Sequence, residues 1–230
     1  MAAFNAGRLR IRLEPTVLVW GRQGHVDPKV IVRTALTKIQ DELDTPPVEI
    51  TIQAGSFRVI PDVGIGGYTS PITGEIQITM DQRSPLGLRR LLTTWLPLAL
   101  AHELHHAKRV LDGPGYGTTI MEAIVTEGSA EAFVRATFPD APSIPWVRPL
   151  DATTQARVWE RAQRERDDRD VGEQHDSWFF GAKGLPRWAG YRLGYAIARS
   201  YLERHPARSA AQIATVTAND IISGSSFSAR

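Results

Sequence analysis

Apolar and polar residues alternate with a period of two in several early stretches of the chain. Leu9, Ile11 and Leu13 are interleaved with Arg8, Arg10 and Arg12, which reads as a strand with one wet face. The strand reading covers 8–20, as one strand or a bent pair broken at Pro15. Val48, Ile50 and Ile52 alternate in the same way, Phe57 to Ile60 is a further short candidate, and Ile76, Ile78 and Met80 alternate behind a glycine-rich run. Between these stretches, Asp27-Pro28 opens a helix to about Leu43, with Pro28 at the first helical position, and Pro46-Pro47 ends it.

The pattern changes to a helical period further on. Ser84-Pro85 starts a helix that Pro97 kinks or restarts, placing Leu98 and Ala101 toward a core and His102 and His106 on another face. Ile120, Ile124 and Val134 form a stripe on a following helix that begins near Thr118. Pro139, Pro142, Pro145 and Pro149 mark a connection, after which Asp151 caps a charged helix. Gly181 to Gly184 is a loop. Pro186 opens a last helix to about His205, with a stripe of Trp188, Tyr191, Tyr195, Ala198 and Leu202, and with Gly190 and Gly194 spaced for close approach of a neighbour. The expectation is an α+β chain, one domain over 1–230, with an N-terminal lobe of mixed sheet and helix (about 1–138) and a C-terminal helical lobe (about 139–230).

His102-Glu103-Leu104-His105-His106 carries the most chemical information. Histidines four apart on a helix are rotated by only about 40° and displaced by about 6 Å, so both imidazoles can reach one metal ion. Glu103 beside them can take a proton from a water held at that ion. His105 points off this axis and is expected to pack or to support a neighbouring ligand rather than to bind the metal. Catalytic zinc commonly keeps three protein ligands and one open position. A cysteine third ligand is excluded, because the chain has none. Asp112 would serve in the arrangement where the chain turns back three residues after the second histidine, but Arg109 stands where that turn needs glycine. The best fit is the second helix, where Glu127-Gly128-Ser129-Ala130-Glu131 offers a ligand, a small residue for close helix approach and a carboxylate one turn on. Glu127 is assigned as third ligand, with Glu131 accepting the free ring N–H of a metal-bound histidine and Glu122 as the alternative ligand.

These residues resemble a known family. The His102–His106 helix followed by Glu127-Gly128 is similar to the gluzincin zinc peptidases. The strings His102–Ala107, Glu122–Gly128 and Gly190-Tyr191-Arg192-Leu193-Gly194-Tyr195 together resemble the bacterial zinc-dependent proteases grouped as domain of unknown function 2268. The resemblance spans roughly 70–205. It implies a zincin-like fold, bound Zn2+, and hydrolysis of a peptide or protein substrate with Glu103 as general base. It also implies an edge strand, at 74–80 or Gly66–Ser70, that pairs with an extended substrate. Tyr191, in the Gly-Tyr-x-x-Gly-Tyr block, is the first candidate to stabilise the oxyanion, with His175 and Tyr195 as alternatives. A non-catalytic metal-binding protein that keeps the ligands is the competing reading.

Composition fits this picture. The 230 residues are 42% hydrophobic and 23% charged, ordinary for a chain that buries a full core. The net charge is +2, and the densest basic run, Arg157 to Arg169, is interleaved with Glu160, Glu165, Asp167 and Asp168, which suits i,i+4 ion pairs better than phosphate tracking. No nucleic-acid partner is expected. Arg8, Arg10 and Arg12 interrupt any opening apolar run, and no stretch reaches about 18 uncharged apolar residues, so a cytoplasmic protein without a membrane span is expected. His25 and His205 read as surface residues.

Overall fold

Alternation at the N-terminus builds a sheet with one dry face. β1 (Ala2–Ala6) and β2 (Leu9–Leu13) form an antiparallel hairpin turned at Gly7, whose φ is +58°. β3 (Glu49–Ala54), β4 (Ile65–Thr69) and β5 (Ile76–Met80) complete a mixed five-stranded sheet in the order β1-β2-β3-β5-β4. β2 and β3 are parallel, β3 and β5 are parallel, and β5 and β4 are antiparallel. Leu9, Ile11, Leu13, Ile50, Ile52, Ile76, Ile78 and Met80 are buried on one face. The other face is polar, with Arg12 paired to Glu49 across β2 and β3 at 2.8 Å and the Gln53 amide donating to Thr79. The computed structural model describes residues 1–228 and divides into two units, the first being Met1–Asp112 with Thr137–Ala141, the second Gly113–Ala136 with the chain from Pro142 onward.

Three local expectations in the first unit are corrected. Residues 15–23 do not continue a strand: α1 (Pro15–Gln23) is a helix with Pro15 in its first turn, the same missing N–H and fixed φ that start α2 (Pro28–Glu42) behind its Asp27 cap. Pro15 therefore ends one element by opening the next. The segment from Phe57 to Ile60 is a turn, with Arg58 at φ +58° and a single bridge from Ile60 to Ile65, because Phe57 is exposed and offers no buried face to anchor a strand. Finally, β5 pairs on both sides, so 74–80 is not an edge; β4 is.

The helix that follows starts later than Ser84-Pro85 suggests. Gly87, at φ +76°, precedes α3 (Leu88–Arg90), a π-helical turn at Leu91–Trp95 and α4 (Leu96–Asp112). Pro97 lies inside this run and has no N–H for the Thr93 carbonyl; the widened turn directly before it absorbs the mismatch without ending the helix. α4 lies against β4 and β5, and α1 against β3.

The second unit is helical. α5 (Ile120–Thr137) starts with a capping box, in which the Glu122 N–H donates to Thr119 Oγ1 while Glu122 Oε2 accepts from the Thr119 and Thr118 N–H groups. Asp151 caps α6 (Ala152–Arg164) through the Thr154 N–H, and within the Arg157–Arg169 run Arg161 pairs with Glu165 at 2.8 Å. After α7 (Gly172–Asp176) and a π-helical turn at Ser177–Gly181 come α8 (Ala189–Arg204) and, capped by Thr217, α9 (Ala218–Gly224). The core gathers Ile120, Ile124, Trp178, Phe179, Leu193, Ile197 and Tyr201.

The buried stripe of α8 differs from the expected one. Ala189, Leu193, Ile197 and Tyr201 face the core together with Ala198 of the expected stripe, while Tyr191, Tyr195 and Leu202 pack against it partly buried, and Trp188 is buried but precedes the helix in a left-handed conformation. The cause is the crossing with α5. A Cβ on Gly194 would stand 1.9 Å from the Ile124 carbonyl oxygen, and one on Gly128 would stand 1.9 Å from the Gly194 carbonyl carbon. The helices meet backbone to backbone there, and that contact sets the rotation of α8. Gly190 instead faces the Phe179 ring, on the π-helical turn. Among the described residues no helix is long and apolar enough to cross a membrane.

Candidate metal centre

His102 and His106 stand one turn apart on α4, with Nε2 atoms 3.0 Å apart and rings edge-on at 4.6 Å between centroids. His106 is buried and His102 half-buried. Two ring nitrogens converging in this way suit two ligands of one cation better than two packing groups. His105 is fully buried, in keeping with a packing position.

Glu103 is 6% exposed and is held by the edge strand. Thr69 Oγ1 donates to Glu103 Oε2 at 2.7 Å and lies 3.1 Å from the Glu103 carbonyl oxygen. A Cβ at position 67 would stand 2.2 Å from Glu103 Oε1, so only glycine lets the carboxylate lie against β4. The bonds Ser70 N–H to Glu75 O and Asp81 N–H to Gly64 O fix the parity of the β4–β5 ladder. Even-numbered residues bond to β5, and Gly67 and Thr69 turn their main-chain groups to the open side.

Glu127 sits in the buried middle of α5. The Tyr116 hydroxyl donates to Glu127 Oε1 at 2.5 Å, and Thr126 Oγ1 donates to the Tyr116 carbonyl at 2.9 Å. Burial, followed by the Glu127 charge and hydrogen bond, drives the Tyr116 pKa well above its ordinary value of 10.0, so the phenol is a donor at any ordinary pH. One ligand atom each of His102, His106 and Glu127 lies within 4.8 Å of the others. Two imidazoles and a carboxylate at this spacing are a donor set suited to zinc.

The other candidates have these neighbours. Asp112 is exposed and paired to Lys108 at 2.9 Å. The Glu122 carboxylate is engaged in the capping box. Glu131 is buried and accepts from Arg135 Nε at 2.9 Å. His175 shares Nδ1 with Asp170 at 2.9 Å and stacks on Phe179 at 4.6 Å. Burial lowers its pKa, but the Asp170 hydrogen bond and charge, helped by Glu127 and Asp176, outweigh that and raise it above 6.5. Tyr191 packs edge-on against Phe179 at 5.0 Å, within electrostatic reach of Tyr116. Tyr195 lies partly buried against the core.

Four residues here escape a reading of the sequence: Tyr116, Thr69, Gly67 and Asp170. Tyr116 left a signal, as an aromatic residue set among glycines in Gly113-Pro114-Gly115-Tyr116-Gly117 directly between the two helices that carry the candidate ligands, and Gly67 and Thr69 fall within the Gly66–Ser70 edge-strand candidate, which does not disclose their contact with Glu103. Thr69 and Gly67 act through a strand far from Glu103 in sequence.

No solved structure matches the chain. The uncharacterized protein YjfC of Bacillus subtilis (strain 168) is 27% identical over 121 residues, which cover 48% of this chain and 40% of that protein. The chain thus accounts for well under two thirds of that relative's length. A family model described as predicted Zn-dependent protease matches residues 30–223, and with that span the chain belongs to this family, DUF2268.

Proposed function

We propose that the protein is a zinc metallopeptidase of gluzincin type on a zincin-like fold, cleaving a peptide or protein substrate, with His102, His106 and Glu127 holding Zn2+. The observation that carries this reading is the convergence of those three donors within 4.8 Å, with Glu103 next to His102 on the same helix. Zinc bound there supplies a Lewis acid that polarises the scissile carbonyl and brings the pKa of a water toward neutrality. Glu103 takes the proton of the attacking water and passes it to the leaving amine. Thr69 and Gly67 keep its carboxylate against β4, so the base is oriented before substrate arrives. The outward main-chain groups of Gly67 and Thr69 pair with an extended substrate. The Asp170 carboxylate at Nδ1 favours the protonated ring of His175, and in that form Nε2–H can donate to the oxyanion, the ground for preferring it to Tyr191 and Tyr195. Glu131 completes the arrangement by accepting from a ligand histidine.

The test pairs metal analysis with turnover. Purified protein is expected to carry one zinc and to cleave members of a quenched-fluorescent peptide library; Glu103→Gln keeps the zinc and loses turnover, and Glu127→Ala loses turnover and binds zinc only weakly through the two histidines. Zinc retention with no cleavage by the unmodified protein would favour a metal-binding role without catalysis, and persistent hydrolysis by Glu103→Gln would remove the base assignment.

A further inference from the structure

We infer that Tyr116 is a positioning residue for the metal ligand Glu127, and that its phenol sets the affinity of the site for zinc. The inference rests on the metal reading above and adds a residue outside the three metal-binding donors. Its first support is the part-buried hydrogen bond from the Tyr116 hydroxyl to Glu127 Oε1. A carboxylate on a helix can rotate about its last side-chain bonds, and each orientation lost before the cation arrives is entropy that binding need not supply. A phenol fixed on one oxygen removes that freedom.

The second support is the way the loop carrying Tyr116 is fastened. The Tyr116 carbonyl is held by Thr126 Oγ1, one residue before the ligand. Gly117, at φ +98°, packs so tightly that a Cβ there would stand 2.3 Å from Glu122 Cβ. Glu122 Oε2 then accepts from the Thr118 and Thr119 N–H groups. The loop is therefore tied to the first two turns of α5 at Tyr116 itself and at the three residues after it, and the phenol approaches Glu127 from a fixed mount. The capping box that begins α5 and the group that steadies its ligand form one assembly. Glu122, the alternative ligand, thereby has a different role and anchors the loop.

Zinc affinity of purified apoprotein, measured by competition with a chromophoric chelator, tests this. Tyr116→Phe keeps the ring and removes only the hydroxyl, and is expected to weaken zinc binding about 10- to 100-fold with an unchanged far-ultraviolet circular dichroism spectrum. In the Glu127→Ala background the same substitution is expected to add no further loss, because the phenol then has no ligand to hold. Tyr116→Phe binding zinc within about twofold of the unmodified protein overturns the inference, as does an equal loss in both backgrounds, which would mark a general effect on folding. If the unmodified protein binds no stoichiometric zinc, the metal reading falls and this inference with it, an outcome the first titration separates from the other two.

Discussion

At the scale of single residues, the candidate site depends on side chains that hold other side chains. A hydrogen bond to a charged group is worth about 1.5–3 kcal/mol, so removing the Thr69 hydroxyl from Glu103 has a readable effect. Thr69→Val is expected to lower kcat about 10- to 100-fold with KM and zinc content unchanged, and Thr69→Ser to restore most of it. Equal kcat in Thr69→Val and the unmodified protein would show that β4 does not orient the base. His175 gives a second residue-scale outcome. Its pKa is raised, so the charged form is favoured in the folded state; the stabilisation is full below about pH 6.5 and is lost as pH rises through the higher folded value. Asp170→Asn leaves burial unopposed by its strongest partner, and an NMR titration should then find the His175 pKa lowered. An unchanged value would contradict the assigned cause.

At the scale of elements, two kinds of glycine have different jobs. Gly7 and Gly117 supply left-handed backbone conformations, whereas Gly128 and Gly194 are helical and supply absence of bulk where α5 and α8 cross. The Gly194 contact is with the backbone of α5, which cannot rotate aside as a side chain can. Gly194→Ala is expected to cost about 3 kcal/mol or more and to lower Tm by about 6–12 °C, measured by calorimetry; a Tm within about 2 °C of the original would mean the crossing relaxes freely. Gly190→Ala meets the buried Phe179 ring instead, and because a side chain yields more readily than a helix backbone it should cost less. The prolines depend on context in the same way. Pro15 and Pro28 open helices, while Pro97 sits within a helical run behind a π-helical turn.

For the whole molecule, a cation that binds only the folded state raises stability in proportion to the logarithm of its concentration over Kd. Adding Zn2+ at about a hundred times Kd should therefore stabilise the protein by about 2.7 kcal/mol, and Glu127→Ala should show little of that rise in Tm. An identical zinc response in both would exclude Glu127 from the site. Much of this was legible without coordinates. The period-two runs located β2, β3 and β5, the Asp27-Pro28 and Asp151 caps located two helices, and the spacing of His102 and His106 put both on one helix face, because strand and helix periods and capping chemistry are local properties of the chain. Tertiary structure alone decided which strand is the edge, which face of α8 is buried, and which residues steady Glu103, His175 and Glu127. Those choices depend on contacts such as Thr69 with Glu103 and Gly128 with Gly194, between segments so distant along the chain that no local period records their meeting; only the backbone path and the volume of the packed neighbours fix them.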